Sequence, residues 1–128
     1  MSVVHTTRLL IADDDPDQLA ALASFFGYHG FDIRTASNSA DAFIIYCGWL
    51  PHVAIFDIEM PGGDGRRLSR AIRDFAGEPP PFLIALSGLS SLSEPSRSLN
   101  AGFDRHFTKP AQLPVLLAEI AFLKGGHG

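Results

Sequence analysis

The sequence predicts a doubly wound α/β fold built on one parallel sheet of five strands. Short apolar runs alternate five times with helical patterns along the 128 residues. Strands that alternate with helices favour a parallel sheet with helices on both faces. Right-handed crossovers leave few topologies, and the strand order 2-1-3-4-5 fits. We expect residues 1–128 to form a single domain with its core at about 7–124.

The strands are recognised from their apolar patterns. Continuous apolar runs are typical of strands buried on both faces, whereas alternation of apolar and polar residues is typical of an edge strand. The first, third and fourth runs are continuous, and the second alternates, which places it at an edge. The predicted strands cover 8–12, 31–35, 52–56, 82–86 and a region near 103–107.

The helices are recognised from their caps and apolar spacing. Asp15 suits an N-cap and Pro16 the first helical position, as short polar side chains and proline do at helix starts. Pro95 is tolerated only in a first turn, so the fourth helix is expected to start near Ser93. The second helix is predicted to be capped by Ser37 or Asn38 and to run to about Cys47. The third is predicted to be capped by Asp64 and to cover 65–75, and the fifth to cover about 112–123.

Composition excludes several classes of protein. The chain has 10 Lys and Arg against 14 Asp and Glu, so it lacks the basic footprint of direct nucleic-acid binding. Cys47 is the single cysteine, which rules out an intrachain disulfide and a cysteine-based zinc site. No apolar run approaches the roughly 20 residues of a membrane helix, and no signal peptide is visible. We therefore expect a cytoplasmic protein with no membrane contact.

Polar residues follow four of the predicted strands. Asp13 and Asp14 follow the first strand, Asp57 the third, Ser87 the fourth, and Lys109 the fifth. Ligand sites of open parallel sheets lie at the carboxyl ends of the strands, near the switch point between the first and third. The fold therefore brings these distant segments together.

Three carboxylates in one crevice repel each other, so at least one of their pKa values is expected to rise. A divalent cation would offset two of the charges and Lys109 a third. Oxygen ligands without His or Cys favour Mg²⁺ or Mn²⁺ over zinc. Because Mg²⁺ commonly binds a substrate phosphate and Asp can form an aspartyl-phosphate, the pattern predicts a site for a phosphoryl group. Ser87 and Lys109 can donate hydrogen bonds to its oxygens.

Four segments, LLIADDDPD, AIFDIEMPGGDG, LIALSG and AGFDRHFTKP, resemble the receiver domain of bacterial response regulators, nearest in style to stand-alone or hybrid-kinase receivers. The resemblance implies a flavodoxin-like (βα)₅ fold and a cytoplasmic phosphorelay. Asp57 would accept a phosphoryl group from a histidine kinase or a phosphotransfer protein. The protein would catalyse its own phosphorylation and dephosphorylation without being an enzyme for a separate substrate.

The same resemblance assigns roles to single residues. Asp13, Asp14, Asp57 and the backbone carbonyl of Glu59 would bind Mg²⁺. Ser87 would be the hydroxyl switch and Lys109 the phosphate-binding lysine, with a cis bond between Lys109 and Pro110. Asp57, Lys109 and Ser87 together form the predicted catalytic set.

One position departs from the family pattern. The residue three before the lysine is His106, where receivers most often have Tyr or Phe. Our hypothesis is that His106 replaces the aromatic switch, and the alternative is a partly exposed strand residue. In the family, phosphorylation draws the hydroxyl inward and changes the face formed by helix 4, strand 5 and helix 5. Helix 5 is apolar nearly all round, which favours an interface, either dimerisation or packing on an output or adjoining domain.

Other interpretations stay open at this point. A degenerate receiver could act as a protein interaction domain without phosphorylation, and an Asp nucleophile with Mg²⁺ could also serve a phosphatase. A flavin-binding protein is disfavoured because the loop after strand one, DDDPD, would repel a phosphate. Arg66, Arg70 and Arg73 share one helix face, which is either solvated or a docking surface for an acidic partner.

Overall fold

The computed structural model describes residues 6–60, 65–88 and 95–125. Within them, five parallel strands form one sheet in the order β2-β1-β3-β4-β5, which confirms the predicted topology. The caps predicted at Asp64 and Ser93 lie outside the described residues. The strands are β1 (Arg8–Ala12), β2 (Asp32–Ala36), β3 (Val53–Asp57), β4 (Phe82–Ser87) and β5 (Arg105–Thr108).

The described residues also form five helices, which pack beside the sheet. They are α1 (Pro16–Tyr28), α2 (Ser39–Trp49), α3 (Gly65–Phe75), α4 (Pro95–Asn100) and α5 (Leu113–Gly125). None of the helices in the described part of the chain is long and apolar enough to cross a bilayer.

Side-chain caps fix the starts of the first two helices. Asp15 accepts a hydrogen bond from the N–H of Asp17 at 3.0 Å, and Pro16 occupies the first helical position as predicted. Of the two candidates for the second cap, Asn38 performs this role, because its side chain accepts from the N–H of Asp41 at 2.8 Å. Each bond satisfies one of the backbone donors that a helix start leaves without an intrahelical partner.

The sheet separates two apolar cores. Successive side chains of a strand point to opposite faces, so neighbouring residues of β3 belong to different cores. Val53 and Ile55 pack with Leu22 and Phe26 of α1, in a cluster that also includes α5. The second cluster, on the side of α2 and α3, is formed by Leu10, Ala12, Ala36, Ala42, Tyr46, Ala54, Phe56, Ile58, Met60, Leu68, Ile72, Leu83, Ala85 and Phe103.

The last strand begins later than the apolar pattern predicts. The prediction started it near Phe103, whereas β5 starts at Arg105. Phe103 is apolar because it fills the core on the α3 side, not because it belongs to the ladder. Asp104 closes the end of the sheet instead: its N–H donates to the carbonyl of Leu83 at 2.7 Å, and its carboxylate accepts the Leu83 N–H at 2.8 Å.

The arginines of α3 are not one solvated face. Arg70 is exposed, but Arg66 is buried, and Arg73 is fastened to three groups of the neighbouring loops. The guanidinium of Arg73 donates to the carbonyls of Gly102 and Pro81 and to the carboxylate of Asp104, each at 2.8 Å. Arg73 therefore ties α3 to the start of β4 and to the approach to β5.

Candidate functional site

An acidic cluster lies at the carboxyl ends of β1 and β3. These two strands are paired, so the residues that end them lie side by side. Oxygen atoms from the carboxylates of Asp13, Asp14 and Asp57 all lie within 4.8 Å of one another. Asp13 and Asp57 are 1% and 3% exposed, whereas Asp14 is exposed to solvent. Two carboxylates are thus held inside the fold and the third lies at its surface.

Lys109 is the cation of this cluster. Its ammonium nitrogen lies 2.9 Å from Oδ2 of Asp13 and 3.3 Å from Oδ2 of Asp57. Burial lowers the pKa of Lys109, but the two carboxylates outweigh burial and hold the pKa above its ordinary value. The backbone N–H of Lys109 donates to the carbonyl of Ser87 at 2.6 Å, and the Lys109–Pro110 bond is cis. The lysine is therefore charged and anchored beside the acids.

The carboxyl group of Asp57 is in an environment that disfavours its charge. Burial raises the pKa of Asp57 from 3.8 to about 6, and the negative charge of Asp13 adds to the rise. A hydrogen bond from the N–H of Glu59, at 2.9 Å to Oδ1, and the ammonium of Lys109 act in the opposite direction. Asp57 is the last residue of β3, so its position is set by the sheet.

The donor set fits a hard divalent cation. Among the described residues, three carboxylates face one ammonium, which leaves an excess of negative charge. Oδ2 of Asp13 is buried and pairs with the ammonium of Lys109 at 2.9 Å, and the same ammonium also pairs with Asp57. Carboxylate oxygens without nitrogen or sulfur ligands are the chemistry that Mg²⁺ and Mn²⁺ prefer.

Ser87 and His106 are in direct contact. The hydroxyl of Ser87 lies 3.0 Å from Nε2 of His106, and Nδ1 of His106 lies 2.8 Å from the hydroxyl of Ser98. Burial lowers the pKa of His106, and the nearby guanidinium of Arg66 lowers it further. A neutral imidazole therefore connects the end of β4 with α4. Ser98 was missed by the sequence reasoning, because nothing in its spacing marks it before α4 is placed.

Glu59 contacts both sides of the site. Besides its N–H, which binds Asp57, its side-chain Oε1 accepts the N–H of Gly88 at 2.6 Å. Sequence reasoning singled out the backbone carbonyl of Glu59 as a metal ligand, and that role stays a prediction. The contact of the Glu59 side chain with Gly88 was not predicted.

Gly65 allows α3 to begin against the end of β3. A Cβ atom at this position would lie 2.7 Å from Cα of Ile58 and 2.8 Å from the carbonyl oxygen of Asp57, closer than real contacts allow. The N–H of Gly65 donates to the carbonyl of Ile58 at 3.0 Å. Only glycine permits this approach, so Gly65 is a structural requirement of the site that sequence reasoning did not identify.

The family of the chain is shown by its match to known proteins. Residues 9–121 match the family described as the response regulator receiver domain. The chain belongs to this family, which confirms the resemblance stated above, and the match does not favour the phosphatase and interaction-only alternatives.

Curated relatives give the same result. The chain is 33% identical over 125 residues to the transcriptional regulatory protein PrrA of Mycobacterium tuberculosis, and 30% identical over 116 residues to the response regulator MprA of Mycobacterium sp. strain KMS. These alignments cover 98% and 91% of this chain but 53% and 50% of the relatives. The chain thus spans about half the length of the curated relatives it matches.

Solved structures agree with the fold. A CheY-like receiver domain from Methanospirillum hungatei JF-1 superposes with a TM-score of 0.83 at 28% identity, covering 91% of both chains. A chain from the co-crystal of the Saccharomyces cerevisiae phosphotransfer protein Ypd1 with the receiver domain of Ssk1 gives a TM-score of 0.83 at 25% identity. That match covers 94% of this chain and 90% of the other.

Proposed function

We propose that this receiver is the phosphoacceptor unit of a two-component phosphorelay and that Asp57 takes the phosphoryl group from a phosphohistidine. The observation that carries the proposal is the buried Asp57 carboxylate at the switch point of the sheet, between the acids of β1 and the ammonium of Lys109. Residues from about 7 to 124 would act as one receiver unit. A cytoplasmic location belongs to the same proposal.

Asp13, Asp14, Asp57 and the backbone carbonyl of Glu59 would hold a Mg²⁺ or Mn²⁺ ion. The ion would supply positive charge for the phosphoryl oxygens and offset the repulsion among the carboxylates. Two of these carboxylates are buried, and oxygens of all three lie within 4.8 Å of one another, which supports a shared metal ion.

Phosphoryl transfer requires mainly that the reacting groups are held in the correct positions. A carboxylate oxygen of Asp57 attacks the phosphorus in line, the P–O bond forms, the P–N bond to the donor histidine breaks, and the imidazole leaves. Lys109, at 3.3 Å from Asp57 Oδ2, neutralises charge on the transferring group, and the Ser87 hydroxyl can donate to one of its oxygens. Water later cleaves the acyl phosphate, so the receiver returns to its starting state and turns over no separate substrate.

His106 is well placed to carry the signal. Its imidazole bonds the hydroxyl of Ser87 and that of Ser98, which lies in α4. If Ser87 turns toward a phosphoryl group on Asp57, it leaves Nε2 of His106, and the link to α4 changes. His106 thereby takes the place of the aromatic switch, and the α4-β5-α5 face reports the modification.

Partners follow from the comparisons and from the surface. The co-crystal of Ypd1 with the Ssk1 receiver supports a histidine phosphotransfer protein or histidine kinase as the phosphoryl donor. The PrrA and MprA relatives are about twice as long, which supports an output domain beside the receiver. On α5, Val115 and Phe122 are 45% and 74% exposed, a suitable surface for an adjoining domain.

Intact-mass spectrometry after incubation with acetyl phosphate tests the proposal. We expect the wild type to gain one phosphoryl group with Mg²⁺ and none in EDTA, and Asp57→Ala to gain none. Asp74→Asn, which removes an exposed carboxylate from α3, is the matched control and should behave as the wild type. An adduct on Asp57→Ala, or an unmodified wild type with Mg²⁺, contradicts the proposal.

A further inference from the structure

A contact at the edge of the site has no role in the chemistry described so far. Oε1 of Glu59 accepts the N–H of Gly88 at 2.6 Å and joins segments that lie 29 residues apart in the chain. A short N–H bond to a carboxylate is charge-assisted and stronger than a neutral one. The amide of Gly88 therefore already binds an anionic oxygen, and the protein itself supplies that oxygen.

The Gly88 amide lies beside the phosphoacceptor. Asp57 pairs with Leu86 across β3 and β4, and the N–H of Ile58 donates to the carbonyl of Leu86 at 3.0 Å. Ser87 and Gly88 are the next two residues, so a hydroxyl and a backbone N–H follow each other at the edge where Asp57 ends its strand. Consecutive donors of this kind form a binding site for anionic oxygens.

The geometry of Glu59 suits a reversible contact. Its backbone is anchored, since its N–H binds Oδ1 of Asp57 at 2.9 Å, whereas its side chain lies exposed at the rim. A Cβ atom at Gly88 would lie 3.2 Å from Oε1 of Glu59, so glycine leaves room for an oxygen at this amide. The carboxylate can leave for solvent without disturbing the sheet.

We infer that Glu59 is an internal competitor of the phosphoryl group. In the unmodified protein its carboxylate occupies the amide of Gly88, and a phosphoryl group on Asp57 must displace it to use that donor. This inference rests on the proposed function and adds regulation to the same site. Glu59 therefore weakens the binding of phosphoryl-like anions in two ways. Its charge repels them, and its side chain is long enough to occupy the amide of Gly88.

Beryllium fluoride with saturating Mg²⁺ is the probe, because it binds a carboxylate non-covalently in the shape of a phosphoryl group. Glu59→Asp keeps the charge but is one methylene too short to reach Gly88, so it separates reach from charge. We expect it to bind beryllium fluoride about tenfold more tightly than the wild type. Glu78→Gln removes an equal charge at the opposite end of the sheet and should leave the affinity unchanged.

The amide proton of Gly88 gives a second readout that needs neither metal nor anion. In ¹H–¹⁵N spectra recorded in EDTA, we expect this proton to move upfield in Glu59→Asp, because its bond to a carboxylate is lost. If the wild type binds beryllium fluoride but Glu59→Asp has the same affinity or the same Gly88 signal, the competition by Glu59 is overturned. The proposed function would be unaffected by that result. If no variant binds beryllium fluoride, the wild type included, the proposed function itself is wrong.

Discussion

Asp57→Asn should stabilise the metal-free protein at neutral and alkaline pH. Burial raises the pKa of Asp57 from 3.8 to about 6, so the folded protein disfavours the charged form. Since each tenfold change in an ionisation constant corresponds to about 1.4 kcal/mol, ionised Asp57 costs the fold about 3 kcal/mol at pH 8. Asparagine is neutral and nearly the same shape, and its oxygen can still accept the N–H of Glu59, so the variant avoids that cost.

The pH dependence follows from the sign of the shift. Below pH 3.8 Asp57 is protonated in both the folded and unfolded protein, and its ionisation costs nothing. Between pH 3.8 and about 6 the unfolded chain is ionised while the folded protein keeps its proton, so the wild type loses stability as the pH rises. Above pH 7 the loss is complete. The advantage of the variant should therefore grow from about 1 kcal/mol at pH 4.5 to about 3 kcal/mol at pH 8.

Urea unfolding followed by circular dichroism at 222 nm, in EDTA, measures this difference at each pH. Asp74→Asn removes a carboxylate from an exposed position of α3 and controls for the change in net charge. A stability gain that is equal at pH 4.5 and pH 8, or no gain at pH 8, would refute the reasoning that burial of the ionised Asp57 carboxylate destabilises the fold.

Three further predictions concern side chains outside the acidic cluster. Arg73→Met should cost about 2 kcal/mol in urea unfolding, because three acceptors at the ends of β4 and β5 lose a charged donor; a neutral result would show that water replaces the guanidinium. Asn38→Ala should cost about 1 kcal/mol by loss of the α2 cap, with Asn38→Ser as the control that restores a capping oxygen without adding a charge beside Asp41. His106→Phe should cost about 1–3 kcal/mol because the buried hydroxyl of Ser98 is left without its imidazole partner. Adding Ser98→Ala to His106→Phe should recover part of the loss, and strict additivity of the two changes would contradict the bond between them.

The fold could be predicted because its three central strands, β1, β3 and β4, are buried on both faces. The buried part of such a strand is apolar, and β1 and β4 contain the unbroken apolar runs LLIA and FLIAL. The start of β5 was predicted too early because apolar residues also occur in loops that pack into the core. Phe103 is as apolar as a strand residue, but it packs into the core from a loop, and apolarity alone cannot distinguish the two situations.

The site could be predicted only in part. Asp13, Asp57 and Lys109 follow predicted strands, so the parallel topology alone places them at one edge. The bonds from His106 to Ser98 and from Glu59 to Gly88 depend on rotamers and on the position of α4, which no local pattern encodes. The sequence left Arg73 as a candidate for an exposed helix face. Its spacing in α3 is the same whether its guanidinium is solvated or binds backbone carbonyls, so the pattern cannot distinguish the two.

The separation of the two cores by the sheet bears on how the protein tolerates change. Ile55 and Phe56 are neighbours in β3, yet one packs toward α1 and α5 and the other toward α2 and α3. The two clusters of described residues have no member in common, so the free-energy costs of substitutions at well-separated positions in the two layers should add. Helices on one side can therefore be repacked to suit a new partner while the opposite layer continues to hold the strand that ends in Asp57. Such a receiver can diversify its contacts without losing its chemistry.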